Sequence, residues 1–420
     1  MDSRRKLIVG YDLCDDFTQI SCYSYKTFEP VSIGIHDEDN QNLIPTALCV
    51  KNDSKQWLFG EDAISCSTSG AGILINHLLE KLVSGKKVEL FGESFDGVSL
   101  LEKYLRKTLT LVKKYFPTEK ITKLVVTVRN TDPSLVEGIY TALSILGLER
   151  DRVLILSHAG AFLYYALSQD QALWMNDIGL FEFSEEALYY YQIRVNRKGK
   201  PIIASLNKTD FTDMLSYQML KQNEVNSEYI FLNIANTALY KQLVTTLYFT
   251  GKGFEGDWAE DVIQKLCTGR RIFLGQNLFT KGACYAAKEL SGDVKLSDIL
   301  LLNDDMITST VGIRVYRDSQ YTDAILAEAG MNWYEIDRSI EVIPEGTPEL
   351  EIILKSMLNR EVVREMVRLT KLPERPDRMT RLELRITCKN RATGIIQVRD
   401  LGFGEFYPGT GLVMELSLEL

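Results

Sequence analysis

The chain has 420 residues, with 48 Lys and Arg against 57 Asp and Glu, for a net charge of -9 and a pI near 5.2. At roughly 100–200 residues per domain, this length predicts two to four domains. A content of 45% hydrophobic and 10% aromatic residues excludes a disordered chain, and the acidic balance argues against nucleic acid as a default partner. No stretch approaches the roughly 18 apolar residues that cross a bilayer, so no membrane insertion is expected. The opening MDSRRKLIVGYDL lacks the long apolar region of a secretory signal. Seven scattered cysteines with no CxxC read as reduced thiols of a cytoplasmic protein, and three distant histidines (His36, His77, His158) make zinc chemistry unexpected.

In chain order, Lys6 to Asp12 reads as a buried strand and Phe17 to Tyr25 as a half-buried one. Ala47 to Lys51 and Trp57 to Phe59 are short strands. Gly97 to Phe116 places apolar residues at helical spacing, with Lys and Arg between them. Lys123 to Arg129 is a β-branched strand. Asp132 as N-cap, Pro133 at the first helical position and Gly147 after the last turn then frame a helix. Arg152 to Ser157 predicts a strand and Ala159 to Leu167 a helix. Ile178 to Phe183 and Leu188 to Val195 predict two strands around the tight segment 184–187. Leu243 to Thr250 predicts a strand, Asp257 to Cys267 a helix, and Leu278 to Leu290 a helix of small residues. This alternation is an α/β pattern.

Beyond about residue 291 the pattern becomes short alternating strands: Gly312 to Tyr316, Leu350 to Leu354, Leu382 to Thr387 and Ile395 to Arg399. A hairpin turn is expected at Asn390 to Gly394, and one helix-like stretch at Arg360 to Leu369. The expected organisation is an α/β domain over 1–290, a linker over 291–305 and a β domain over 306–420. Residues 291–420 hold 16 basic and 22 acidic residues, a net of -6 out of the chain's -9.

The order of these pieces resembles the actin-like ATPase superfamily, most closely the seventy-kilodalton heat-shock chaperones. Val9-Gly10-Tyr11-Asp12-Leu13-Cys14-Asp15-Asp16 resembles the family's first phosphate loop, V-G-I-D-L-G-T-T. Ile44 to Val50 resembles T-P-S-Y-V-x-F, and Phe59 to Ala63 resembles the segment after that motif. Ser157 to Tyr165 resembles the first connecting helix. Glu182-Phe183-Ser184-Glu185-Glu186-Ala187 falls on the second phosphate loop, D-L-G-G-G-T, and Phe249 to Phe254 on the adenosine motif, L-V-G-G-S-x-R. Leu278 to Cys284 resembles the second connecting helix, Asp298 to Leu302 the interdomain linker, and 368–376 with 381–400 the peptide-binding β-sandwich. The resemblance spans almost the whole chain in collinear order. It implies a two-lobed actin-like ATPase fold followed by a C-terminal β-sandwich, with a reduced outer subdomain and no helical lid.

In such a slot, glycines let backbone N–H groups approach phosphate oxygens, and a carboxylate in each loop holds hydrated Mg²⁺. The resemblance assigns this degenerate nucleotide cleft to Gly10, Asp12, Asp15, Asp16, Glu182, Ser184, Gly251 and Gly253, with Asp12 and Glu182 as metal holders. The chain departs from the pattern: Cys14 replaces glycine, Asp15 and Asp16 replace hydroxyls, and Ser184, Glu185 and Glu186 replace three glycines. Ser157 stands where the family has a glutamate. At about 4 Å and an effective dielectric near 20, each acid facing a phosphate costs on the order of 4 kcal/mol before screening. Three readings compete. The four acids are solvated turn residues that bind nothing, or they recruit Mg²⁺ or Ca²⁺, or a nucleotide binds by an altered route. The glycines Gly251 and Gly253 suit either a turn or an adenosine.

Of the remaining features, the basic side of Gly97 to Phe116 reads as a solvated face. The ten basic residues of 360–391 read as polar strand faces or as a contact surface for an acidic partner. His158, at a strand-to-helix junction, reads as a local cap or as a hydrogen-bonding group across the cleft. Cys14 and Cys284 read as buried thiols. The expected function is that of a chaperone-like pseudo-ATPase, with no cofactor, or with ATP and Mg²⁺ in the alternative. Its partner is a protein or peptide held by the β domain. A divergent working ATPase and an actin-like assembly protein are the competing readings.

Overall fold

A computed structural model describes residues 6–34, 42–222 and 226–420; His36 lies outside these. The chain is mixed α/β with a strand-rich C-terminal region, and it forms two compact units, Met1–Ile299 and Leu300–Leu420. The boundary falls inside the segment expected to link them, where Ile299–Leu302 is itself a strand.

The first unit contains the same sheet pattern twice. In the first sheet the order is Val153–Ser157, Ile121–Val128, Leu7–Leu13, Phe17–Ser24, Glu29–Ile33. The first three strands run parallel, and the last three form an antiparallel meander. The second sheet runs Arg271–Leu274, Val244–Thr250, Asp177–Phe183, Leu188–Asn196, Ile202–Asp210, with the same parallel and antiparallel pairings. Leu7–Leu13 is buried along its whole length, as a central strand covered on both faces must be. Local chemistry sets the helix starts. Asp132 accepts from the Ser134 and Leu135 amides ahead of Pro133–Ile145, and Asp96 accepts from the Ser99 amide ahead of Gly97–Tyr115.

The two halves interlock through two helices, His158–Ser168 and Leu278–Leu290, each of which follows the strand at the parallel edge of its sheet. They meet at Gly282, where a Cβ would overlap the Ala161 carbonyl. Leu278–Leu290 also lies on the first sheet, so its Ala283, Cys284, Ala286 and Ala287 share a core with Ile8, Val125 and Leu156. The second sheet packs on Ser227–Leu239 and Glu260–Leu266 through a cluster rich in aromatic rings, among them Phe181, Phe183, Phe231 and Phe249. Burying each such ring contributes roughly 1.5–3 kcal/mol.

The second unit has two sheets. One runs Gln320–Ala327, Ser309–Arg317, Glu349–Ser356, Val362–Arg368. The other runs Asp337–Val342, Arg381–Asn390, Thr393–Phe403, with Val413–Glu419 and the short Tyr407–Pro408 both on Thr393–Phe403. Alternate residues of both sheets (Val311, Ile313, Ile352 from one; Leu382, Leu384, Ile386, Ile396, Val398 from the other) fill one shared core. The expected hairpin turn lies between Asn390 and Thr393. The helix expected at Arg360 to Leu369 is instead the edge strand Val362–Arg368. Its pairing with Glu349–Ser356 sets Arg368 opposite Glu349 and lets Arg364 reach Glu351 diagonally, and this tertiary pairing overrides the helix-like spacing.

No described helix is long and apolar enough to cross a membrane.

Candidate functional site

The two sheets of the first unit bring matching positions together. Asp12 is next to last in Leu7–Leu13, and Glu182 is next to last in Asp177–Phe183. Both are buried, at 8% and 2% exposure. Between them sits His158, the first residue of its helix and 2% exposed. Its Nε2 lies 2.9 Å from Asp12 Oδ1, and its Nδ1 lies 2.9 Å from Glu182 Oε1. Phe279 stacks on the ring at 3.7 Å, and the Tyr191 hydroxyl donates to Glu182 Oε2 at 2.6 Å.

The electrostatics are set by this geometry. Burial favours a neutral imidazole, but Glu182 and Asp12 outweigh it and raise the His158 pKa well above its ordinary value. Burial likewise pushes Glu182 up, while His158, Arg129 and Tyr191 overcome that push and bring it down to about 2. The site therefore holds an imidazolium that donates to two carboxylates. The helix N-terminus is capped by Ser157, whose hydroxyl accepts from the Gly160 amide. His158 is thus free of capping and reaches across the cleft.

Arg129, just past the strand Ile121–Val128, forms a second hub. It pairs with Asp16 at 3.3 Å, with Glu186 at 2.5 Å and with Glu182 at 3.5 Å. Its Nε has no hydrogen-bond partner among the described residues. Asp15 turns away and accepts from the Leu79 and Glu80 amides, at 2.8 and 3.2 Å, at the start of Leu78–Ser84. Glu185 pairs with Lys252 at 2.6 Å. The four acids of the two turns, which one reading made solvated residues that bind nothing, are thus each bonded to the protein's own cations or amides. Ser184 accepts from the Glu186 and Ala187 amides and closes its own hairpin.

The glycines serve packing. A Cβ on Gly10 would overlap the backbone of Thr280 and Cys284, one on Gly251 the Phe183 carbonyl, and one on Gly253 the Phe183 ring. Their close approach is to protein, and Gln276 holds Gly251 by both its amide and its carbonyl. A cavity of about 200 Å³ remains, lined by Asp12, Cys14, Arg129, His158, Glu182 and Lys252 among others.

Cys14 completes the cluster. Its Sγ lies 3.6 Å from His158 Nε2 and 3.7 Å from Asp12 Oδ1, and burial pushes its thiol up to about 12. Asp12, Cys14 and His158 form a buried group whose ligand atoms could hold a metal ion. The sequence places Asp12 and Glu182 here, offers His158 as a local cap or a cleft residue, and does not point to Arg129, Tyr191 or Phe279. An Arg directly after the buried strand Ile121–Val128 was the one local signal for the hub; its acidic partners Asp16 and Glu186 are distant in sequence. Of the other expected features, Cys284 is buried. The basic residues of 360–391 largely pair within their own unit, as Arg375 does with Asp400 and Arg385 with Asp337.

Residues 29–304 match the model described as "Family of unknown function (DUF5716) C-terminal". The chain belongs to this DUF5716 family. In the chain of this DUF5716 protein, residues 306–420 match a second model, "Domain of unknown function (DUF8552)". No curated protein matches the chain. The DUF5716 match takes in Arg129, His158 and Glu182, whereas Asp12 and Cys14 precede it.

Proposed function

We propose that this chain is a chaperone-like pseudo-ATPase: an actin-like ATPase fold whose phosphate slot is closed by its own side chains, followed by a β-sandwich that binds a polypeptide. The repeated sheet order, with a helix after each parallel edge strand, supports the actin-like reading. The observation that carries the pseudo-ATPase reading is His158. The two carboxylates that the resemblance reserves for Mg²⁺ are each bonded to one nitrogen of its ring. Mg²⁺ demands near-octahedral oxygen donors and keeps several waters. An imidazolium with a thiol beside it does not fit that demand. The remaining 200 Å³ also falls below the roughly 300–1,000 Å³ of small-molecule pockets.

For the partner, Val362–Arg368 is an outer strand with Val362, Val363 and Met366 exposed. Such an edge suits strand addition by an extended peptide, in which main-chain hydrogen bonds give affinity and alternate side chains give specificity. Calorimetry of the full chain with ATP and Mg²⁺ tests the nucleotide half of this reading. No saturable heat in the micromolar range is expected; micromolar binding coupled to steady hydrolysis would establish the working ATPase instead.

A further inference from the structure

The cluster beside the cavity has more order than charge neutralisation requires. Three different donor types converge: a carboxylate oxygen, a sulfur and an imidazole nitrogen. Their separations are 3.7 Å (Asp12 Oδ1 to Cys14 Sγ), 3.6 Å (Cys14 Sγ to His158 Nε2) and 2.9 Å (His158 Nε2 to Asp12 Oδ1). A tetrahedral zinc with bonds of about 2.3 Å to sulfur and about 2.0–2.1 Å to nitrogen and oxygen separates its ligand atoms by roughly 3.3–3.6 Å. The 3.6 Å sulfur-to-nitrogen distance lies within that range, and the 3.7 Å sulfur-to-oxygen distance lies just outside it. The third needs the carboxylate to withdraw by a few tenths of an ångström, as the proton between His158 and Asp12 leaves.

Two independent features point the same way. The far nitrogen of the ring is held by Glu182, which is fixed in turn by the Tyr191 hydroxyl. A carboxylate on the non-ligating nitrogen is the arrangement that fixes the tautomer and orientation of zinc-ligating histidines. The three ligand residues also line the cavity, which gives room for a water as fourth ligand.

We propose that Asp12, Cys14 and His158 form a zinc site with Glu182 as its orienting residue. The metal enters as Zn²⁺ and takes the lone pairs of His158 Nε2 and Cys14 Sγ. Two protons depart, one from the ring nitrogen and one from the thiol, and Nδ1 keeps its proton toward Glu182. No oxidant or reductant is involved. Thiolate with imidazole selects zinc over the hard cations that oxygen-only sites take. A single open position distinguishes this arrangement from closed structural sites. The zinc site is independent of the chaperone reading, and ATP calorimetry on the chelator-treated protein is indifferent to it.

The test uses the full chain, reduced and stripped by chelator, and titrated with Co²⁺ as the spectroscopic probe. One equivalent is expected to give the intense visible bands of tetrahedral cobalt and a near-ultraviolet sulfur-to-cobalt band. Zn²⁺ then displaces the cobalt and bleaches both. Cys14→Ser should abolish the sulfur band, and Cys267→Ser, at an exposed thiol, should leave it unchanged. Glu182→Gln should retain the band while weakening affinity roughly 10–100-fold. Circular dichroism of each variant establishes that it is folded; should Cys14→Ser unfold, Asp12→Asn takes its place, with the visible bands weakened as the readout. Failure to bind one equivalent, or a sulfur band that survives Cys14→Ser, overturns the site.

Discussion

Each unit buries an ion cluster, and the two clusters are built differently. In the second unit Arg375 and Asp400 form a bidentate pair, at 2.7 and 2.8 Å, with side chains 5% and 0% exposed. Asp400 also accepts from the Gly402 amide, the Thr410 amide and the Thr410 hydroxyl, and Arg375 also donates to the Pro408 carbonyl. The Arg375 hydrogen bond foremost holds the Asp400 carboxyl far below its usual range. The cluster ties the loop carrying Arg375 to the hairpin after Thr393–Phe403, and its binding capacity is used up. In the first unit the His158 and Arg129 cluster joins two sheets and borders a cavity. A fully satisfied cluster is a pin. One that borders open space has room for a ligand.

The largest expected effect breaks the pin. Arg375→Ala or Asp400→Ala leaves its partner buried and unpaired, which costs roughly 3–5 kcal/mol. Denaturant unfolding should show that loss, and a change under about 1 kcal/mol would remove the distinction between pin and ligand site.

The next effect is the pH dependence of the first cluster, measured in chelator. Glu182 falls to about 2 in the fold, against about 4.3 when unfolded. Its contribution, about 3 kcal/mol, is present above pH ~4.3 and is lost as pH falls through about 2. The His158 pKa is raised, so its contribution is complete below pH ~6.5 and is lost as pH rises through the folded value. Stability should therefore form a plateau between these limits. His158→Asn should remove the alkaline limb and move the acid limb to higher pH. Identical profiles for variant and parent would contradict the imidazolium.

Gly10→Ala comes third, at roughly 1–3 kcal/mol, because its Cβ meets helix backbone that cannot turn aside. A neutral result in thermal unfolding would return Gly10 to the role of a phosphate-loop glycine.

These particulars show what the sequence could reveal. Buried strands and capped helices were legible because their signals are local: Asp132 with Pro133, or the apolar run from Leu7. The site was legible only in part. Asp12 and Glu182 stand at matching strand ends, which the resemblance located. The bond that defines the site joins His158 to residues 146 and 24 positions away, and no spacing encodes it. The glycines were ambiguous for a physical reason. A glycine at a strand end marks close approach by something, and packed backbone leaves the same mark as a phosphate. The edge strand Val362–Arg368 was hidden because its pairing partner, not its own periodicity, decides its conformation.

The smallest effect concerns Asp15, and it divides the acids of the first turn. Asp15 and Asp16 are neighbours, yet Asp16 joins the Arg129 hub while Asp15 caps a seven-residue helix. Burial raises the Asp15 carboxyl despite the two amides it accepts from, so this cap is a modest contributor. Asp15→Ala should cost about 1 kcal/mol, the usual worth of a helix cap. If Asp15 only caps, Co²⁺ affinity stays within twofold of the parent while stability falls. A tenfold loss of Co²⁺ affinity would instead make the whole turn, and not Asp12 and Cys14 alone, part of the site.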